Sequence, residues 1–209
     1  MAYSKFTIRS VKEQFGIRLI EDMPLFEAEQ IPRIAITDHL RTTLTEDAPV
    51  AIAINTEKSR SEWIIAPVLA EVRKHSAKRI SLFSGTTFTV DEAQGLDGQC
   101  DYILSLGQEQ LYIAAPILTI VEAKNEDIIG GIGQCVALMF AAQLYNEREQ
   151  QPLPTIYGAV TTGTTWRFLK LSGTTAWVDR DEYYLNEIET LMGIFSLVIS
   201  IGTQMQVTV

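Results

Sequence analysis

Cysteine and histidine are scarce in this chain of 209 residues. There are two cysteines, Cys100 and Cys135, and two histidines, His39 and His75, and no C-x-x-C pair occurs. We therefore expect neither a disulfide framework nor a zinc site built from cysteine or histidine. The cysteine usage is typical of the reducing cytosol, so we predict a cytoplasmic protein. Any metal would have to be a hard ion that binds oxygen atoms.

Basic residues and long apolar runs are also few. The chain has 17 Lys and Arg residues against 26 Asp and Glu residues, which gives a net charge of −9. This charge argues against a protein that coats nucleic acid or an anionic membrane, although it allows a local basic patch. The apolar run from Leu191 to Ile201 has 11 residues and is too short to cross a bilayer. The start of the sequence has no apolar run typical of a signal peptide, so we expect none.

The rest of the composition is that of a globular domain. Hydrophobic residues make up 46% of the chain and charged residues 21%, and no linker or internal repeat is visible. We predict one domain over residues 1–209. It would consist of an N-terminal helical or irregular cap (1–56), a core (57–171) and a C-terminal strand and helix (172–209).

Helical and strand patterns alternate along the chain after residue 56. Apolar residues at helical spacing predict helices over 57–75, 127–148 and 182–201, the first with a kink or a locally lost hydrogen bond at Pro67. Runs rich in β-branched and aromatic residues predict several strands after the first helix and a hairpin after the second. The run ILTIVEAK is typical of a strand covered on both faces. This order predicts an α/β protein with a mixed central sheet flanked by helices.

Charged side chains stand at the end of this most apolar strand. Because side chains alternate along a strand, Glu122 and Lys124 of ILTIVEAK point to the same face. If the strand forms a hairpin with the preceding one, CDYILSL, Asp101 comes close to Glu122. Two carboxylates suit Mg²⁺, and a lysine beside them can hold a water molecule or neutralise phosphate charge. Taken alone, however, a Glu-x-Lys tripeptide more often marks the point where a buried strand reaches solvent.

The order of features around this strand resembles the PD-(D/E)XK nuclease superfamily, which has the restriction-endonuclease-like fold. The resemblance covers residues 57–171 and rests on LDGQCDYIL, ILTIVEAKNED and GIGQCVALMFAAQ, with small bacterial members as the most similar. It implies a catalytic site at Asp101, Glu122 and Lys124 that hydrolyses phosphodiester bonds, with DNA as the expected substrate. The sequence departs from the family pattern at Cys100, where the family name has proline.

The resemblance also implies further residues of the site. A Glu on the first core helix often completes the metal site, and Glu62 matches that position. A Gln on the helix after Glu-x-Lys is common, and Gln134 matches it as a residue that orients a ligand or the attacking water. The implied ligands of Mg²⁺ or Mn²⁺ are Glu62, Asp101, Glu122 and the main-chain carbonyl of Ala123.

A non-catalytic homodimeric scaffold or regulatory protein of the same fold is the alternative function. The net charge of −9 and the lack of a recognition module favour it, whereas the intact set of Asp101, Glu122 and Lys124 argues against it. In either case we expect a homodimer, because the last helix continues into the apolar run Leu197–Ile199. Coverage by residues 3–56 is the other way to bury that run. A protein partner could also target an acidic nuclease to its substrate, and no membrane partner is expected.

Two weaker features complete the analysis. The motif GGIG at 130–133 is similar to a phosphate-binding loop, but no Lys-Ser/Thr follows it, so we interpret the glycines as allowing the helix to pack closely against the sheet. The basic cluster of Arg73, Lys74, Lys78 and Arg79 either contacts a DNA backbone or is a solvated helix end.

Overall fold

Eight strands pair into one mixed sheet in the computed structural model, which describes residues 3–77 and 79–207. The strands are β1 (Arg18–Ile20), β2 (Ser81–Thr87), β3 (Gln99–Ser105), β4 (Ile117–Ala123), β5 (Ile156–Thr161), β6 (Thr165–Ser172), β7 (Thr175–Val178) and β8 (Tyr183–Tyr184). Their order across the sheet is β1-β7-β6-β5-β4-β3-β2, and β8 pairs with β6 outside this path. The structure thus contains several strands after the first predicted helix and a hairpin, β5 and β6, after the second, as the sequence predicts.

Helices cover the sheet and make up most of the N-terminal third of the chain. The helices are α1 (Ile8–Phe15), α2 (Asp38–Ile54), α3 (Glu57–Arg60), α4 (Ala66–His75), α5 (Ile128–Arg148) and α6 (Ile188–Val207). A π-helical turn, Ser61–Ile65, joins α3 to α4. Short 3₁₀ turns lie at Tyr3–Lys5, Ala28–Gln30, Glu92–Gln94 and Leu185–Glu187.

Helix α5 lies on one face of the sheet, and the helical segment 57–75 lies on the other. Side chains of Met139 and Cys135 fill the space where a Cβ at Gly158 of β5 would sit. On the opposite face, the Tyr102 hydroxyl of β3 donates a hydrogen bond to the Ser61 carbonyl at 2.9 Å. The prediction of an α/β protein with a mixed sheet flanked by helices is therefore confirmed.

The centre of the sheet is a three-strand meander followed by a helical crossover. Strand β3 pairs antiparallel with both β2 and β4. Helix α5 then carries the chain to β5, which runs parallel to β4. As a result, the start of β3 and the ends of β4 and β5 meet at one edge of the sheet.

The segment 57–75 is helical throughout, as predicted, but it is not a regular α-helix. The Ala66 N–H donates to the Ser61 carbonyl, five residues earlier, instead of the usual four. Pro67 follows at once and has no N–H to donate, so a regular helix would lose a bond here. The wider turn accommodates the proline, at the position where the sequence predicts an irregularity in the helix.

The N-terminal cap contains more regular structure than predicted. Helix α2 occupies 17 residues of the range that the sequence predicts only as a helical or irregular cap. Strand β1 extends the sheet by pairing parallel to β7, with Arg18 opposite Thr175. The cap is thus partly a sheet edge. A strand of three residues is too short for alternation to reveal it.

The last helix begins later than predicted and is covered in part by the N-terminal segment. The predicted range 182–201 contains β8, and α6 starts only at Ile188. The Pro32 carbonyl lies against Gly193, and Leu118 lies against Gly202. Leu197 and Ile199 are partly buried against the core of the chain itself. Residues before 56 therefore supply some of the cover, and the homodimer through this helix stays a prediction.

Two helices are long and apolar enough, by composition alone, to cross a membrane. The 18-residue windows in α5 and in residues 185–206 have mean hydropathies of 1.6 and 1.4. The molecule itself buries 56% and 39% of these windows. Core helices of folded domains share these properties, so the finding is weak evidence for a membrane span.

The glycines at the start of α5 allow close packing, as predicted. Val160 and the aliphatic part of Lys124 lie where a Cβ at Gly131 would be. Gly133 lies against the main chain of Thr7 and Ile8, where α1 begins. The predicted packing against the sheet is confirmed for Gly131, whereas Gly133 allows the approach of α1, which the sequence did not indicate.

We expect Gly133→Ala to lower the free energy of unfolding by about 2 kcal/mol or more, because the added methyl group overlaps the main chain at Thr7. Chemical denaturation measures this change. Gly130→Ala is the matched control, because a methyl group there meets the Asp127 side chain, which caps α5, and displacing this cap costs only about 1 kcal/mol. Equal losses for the two variants would contradict the assigned packing of α1 on α5.

Candidate active site

The register of β3 and β4 places Asp101 opposite Glu122. The ladder pairs Ile103 with Ile120 and ends at Tyr102 and Val121. One further step in the same register brings Asp101 and Glu122 side by side on the face that α5 covers. There the Asp101 carboxylate accepts a hydrogen bond from the Ala123 N–H at 2.8 Å. The Asp101 side chain thus replaces the main-chain acceptor that would continue the ladder, and β3 and β4 separate at this point.

Glu122 is buried with only one of its two oxygens paired. Its side chain is 1% exposed, and Oε1 accepts a hydrogen bond from Lys124 Nζ at 2.7 Å. Oε2 accepts no hydrogen bond from the described residues, and when Glu122 is protonated it can share its proton with Asp101. A buried acceptor without a partner is unfavourable, so this atom marks a position that a donor or a cation would stabilise.

Lys124 lies in a slot between α5 and the start of α3. Its side chain is 19% exposed, and its stem passes Gly131. Besides Glu122, its Nζ has Glu57 Oε2 at 3.9 Å. The ammonium group is therefore fixed from two sides at the edge of the sheet.

The pKa values of these groups are strongly perturbed. Burial, followed by the charge of Asp101, raises the pKa of Glu122 from 4.5 to about 8, although Lys124 opposes the shift. Burial would lower the pKa of Lys124, but Glu122, Glu57 and Asp101 outweigh it, and the pKa is raised. The site therefore has more acidic groups than its single ammonium can neutralise, and Glu122 takes up a proton in compensation.

Glu62 does not join this group. It lies in the π-helical turn on the Tyr102 face of the sheet, whereas Glu122 faces α5. The Glu62 carboxylate pairs with Lys58 at 2.7 Å and is 52% exposed. The acidic residue that this helical segment contributes near Lys124 is Glu57. The physical reason is that Glu57 is the first residue of α3, at the edge of the sheet, while Glu62 is one and a half turns further along.

The remaining predicted residues lie close to the site in the fold. Gln134 is half-buried on α5, next to Cys135, and its side chain has no hydrogen bond with the described residues. The Ala123 N–H points to the Asp101 side of β4, and within a strand the carbonyl of the same residue points the same way. The Ala123 carbonyl therefore lies on the side of β4 where Asp101 is. Cys100, which alternates with Asp101 along β3, is buried.

The donor set suits a hard divalent cation bound by few protein ligands. Within residues 3–77 and 79–207, no group of three or more His, Cys, Asp or Glu side chains could hold a metal ion. The side-chain donors at the candidate site are thus limited to two carboxylates, those of Asp101 and Glu122, and the Ala123 carbonyl adds a main-chain oxygen. Mg²⁺ is commonly bound by one or two carboxylates and completed by water and phosphate oxygens. The unpaired Oε2 of Glu122 fits such an ion.

The sequence reasoning missed Glu57 and Arg60, which the structure places beside the site. A signal for Glu57 was available, because Thr56 and Ser59 form a capping box that starts a new helix at residue 57. Arg60 is 8% exposed, and its Nη1 donates to the Thr162 carbonyl at 2.9 Å. No local signal indicates this contact, since 102 residues separate its partners. Lys78 of the predicted basic cluster lies outside the described residues.

Comparison with known proteins adds no assignment. No protein-family model matches the chain, and no curated protein matches it significantly. Functional arguments therefore rest on the fold and the site.

We expect Glu122→Gln to stabilise the protein more at pH 8 than at pH 4.5. Glu122 binds a proton more tightly in the folded state than in the unfolded state, so wild type loses stability as the pH rises from 4.5 to about 8. The neutral glutamine has no such loss. Without added metal, the variant should gain about 1 kcal/mol or more at the upper pH, with a Tm higher by roughly 3 °C. Thermal unfolding at both pH values measures this, and an equal difference at the two would contradict the burial assigned to Glu122.

Proposed function

We propose that this chain is a Mg²⁺-dependent nuclease of the PD-(D/E)XK superfamily that hydrolyses phosphodiester bonds in DNA. The observation that carries the proposal is the meeting of Asp101, Glu122 and Lys124 at one sheet edge, with the Glu122 Oε2 atom buried and unpaired. The fold supports it too. A helix, a three-strand meander, a crossover helix and a parallel strand follow one another as the restriction-endonuclease-like fold requires.

Asp101, Glu122 and the Ala123 carbonyl would hold the metal ion. When bound, Mg²⁺ supplies Lewis-acid chemistry, which neutralises charge on the phosphate and makes an attacking water more acidic. The Ala123 N–H fixes the Asp101 carboxylate, and the strand end fixes Glu122, so both ligands are oriented before substrate arrives. Gln134, a residue of α5, is the candidate to orient a ligand or the attacking water.

Lys124 would place a positive charge next to the reacting phosphate. Its Nζ is held 2.7 Å from Glu122 Oε1 and 3.9 Å from Glu57 Oε2. This ammonium can donate a hydrogen bond to the attacking water or to a phosphoryl oxygen in the transition state. Glu57, and not Glu62, is the acid of this helical segment near Lys124; it would position Lys124 and would not contact the metal.

A non-catalytic scaffold explains the site less well. A buried carboxylate with an unpaired oxygen beside a second carboxylate lowers the stability of the fold. A scaffold would gain nothing from this cost, whereas an active site needs it. The net charge of −9 does favour a basic protein partner that brings the nuclease to DNA.

We expect Lys124→Ala to abolish Mg²⁺-dependent cleavage of DNA while the protein stays folded, because Lys124 lies at a strand end and contacts the two acids. Cleavage of a labelled DNA substrate and a thermal melt measure the two effects. The matched control is Lys58→Ala, which removes a lysine that is 81% exposed on the same helix as Glu57. Equal cleavage by wild type and Lys124→Ala would show that the activity arises elsewhere.

We expect Glu57→Gln to reduce the cleavage rate about tenfold, because it loosens the position of Lys124. Glu62→Gln should leave the rate within about twofold of wild type, since Glu62 pairs with Lys58 on the other face of the sheet. Steady-state cleavage kinetics of both variants at saturating Mg²⁺ test this difference. A larger loss in Glu62→Gln than in Glu57→Gln would restore Glu62 as the acid of the site.

A further inference from the structure

An open pocket of about 440 Å³ borders the candidate site at the ends of β4 and β5. Arg60, residues 125–129, the turn 162–165 and Glu182 line it. The Lys124 N–H donates to the Thr161 carbonyl at 2.8 Å and joins the ends of the two strands. The next residue of each segment, Asn125 and Thr162, lines the pocket. The proposed catalytic chemistry leaves this pocket unused.

Arg60 provides a fixed hydrogen-bond donor at the base of the pocket. It is 8% exposed, and its Nε and Nη1 bind the neutral oxygens of Asn55 and Thr162 at 3.1 and 2.9 Å. None of the ion pairs among the described residues includes Arg60. Those residues also give Nη2 no hydrogen bond, and this nitrogen keeps contact with solvent.

Carboxylates provide the acceptors of the same pocket. Asn125 also lines it, but its Oδ1 is closed off from solvent and has no hydrogen-bond partner among the described residues. Next to it, the carboxylates of Glu126, Asp127 and Glu182 stand around the pocket and can accept hydrogen bonds. The pocket therefore offers one donor and several acceptors to a ligand.

This pattern decides between the two parts of a nucleotide. A phosphate group carries acceptors only and would be repelled by the three carboxylates. A nucleobase carries N–H donors beside carbonyl or ring-nitrogen acceptors on one edge. It can therefore accept a hydrogen bond from Arg60 and donate one to a carboxylate of the lining at the same time.

Apolar side chains flank the polar base of the pocket. Ile128 and Ile129 line it, and Ile129 is 63% exposed although it is a large apolar residue. On the other side, Tyr184 pairs with Thr165 of the lining and is 47% exposed. Flat bases pack on such surfaces, and a base taken out of a helix is commonly held in this way.

We propose that this pocket binds an unpaired nucleobase of the substrate. The inference rests on the proposed nuclease function and narrows it: the substrate is a nucleic acid with an unpaired base next to the bond to be cut. A base inside a continuous duplex is stacked on both faces and cannot enter. Cleavage is therefore expected at single-stranded or mispaired positions.

Binding of the four 2′-deoxynucleosides tests the pocket without phosphate or metal. Saturation-transfer NMR on the full chain should show contact from base protons, and an excess of inorganic phosphate should not displace them. Ile129→Ser should weaken binding about tenfold, since the base loses its packing surface. Leu111→Ser is the matched control, because Leu111 is 94% exposed on the loop at the opposite end of β3 and β4. Displacement by phosphate, no nucleoside binding, or equal losses in the two variants would each overturn the inference.

Cleavage separates this inference from the proposed function. Two labelled DNA duplexes, one fully paired and one with a single unpaired base, are incubated with wild type and Mg²⁺. Faster cleavage beside the unpaired base is expected, and Ile129→Ser should remove the difference while Leu111→Ser keeps it. Equal cleavage of both duplexes would overturn the base pocket and leave the nuclease intact. Nucleoside binding without cleavage of any DNA would overturn the nuclease and leave a base-binding pocket.

Discussion

Glu122 is buried against a second carboxylate, and the rest of the site is arranged around this unfavourable contact. Burial and the charge of Asp101 both disfavour its ionised form, and a single lysine opposes them. The remaining imbalance is what a divalent cation would relieve. The Asp101 carboxylate is held in place because it accepts a hydrogen bond from the Ala123 N–H. The same bond ends the pairing of β3 with β4.

The packing of α5 keeps this arrangement rigid. Gly131 lets the Lys124 stem pass between helix and sheet, and Gly133 lets α1 approach the same helix. The polar atoms of the site are thus held by main chain and by close packing. The neighbouring pocket is built from the same elements, since Arg60 follows Glu57 on α3 and Asn125 follows Lys124.

Much of this site could be predicted because its geometry follows from alternation in two adjacent strands. Glu122 and Lys124 share a face by sequence spacing alone, and the hairpin brings in Asp101. The third acid could not be found in this way, since a helical pattern does not reveal the wider turn before Pro67 or the face that Glu62 occupies. Strand β1 is too short to leave a pattern, and the Arg60 contact to Thr162 joins distant parts of the chain.

Calorimetric titration with Mn²⁺ tests the central claim most directly, because it measures metal binding without requiring cleavage. The account predicts that wild type binds Mn²⁺ and that Asp101→Asn and Glu122→Gln each lose measurable binding. Asp97→Asn serves as a control, since this acid lies four residues before Asp101 and outside the proposed ligand set. Binding by Asp101→Asn or Glu122→Gln as tight as that of wild type would contradict the metal site and the proposed nuclease function.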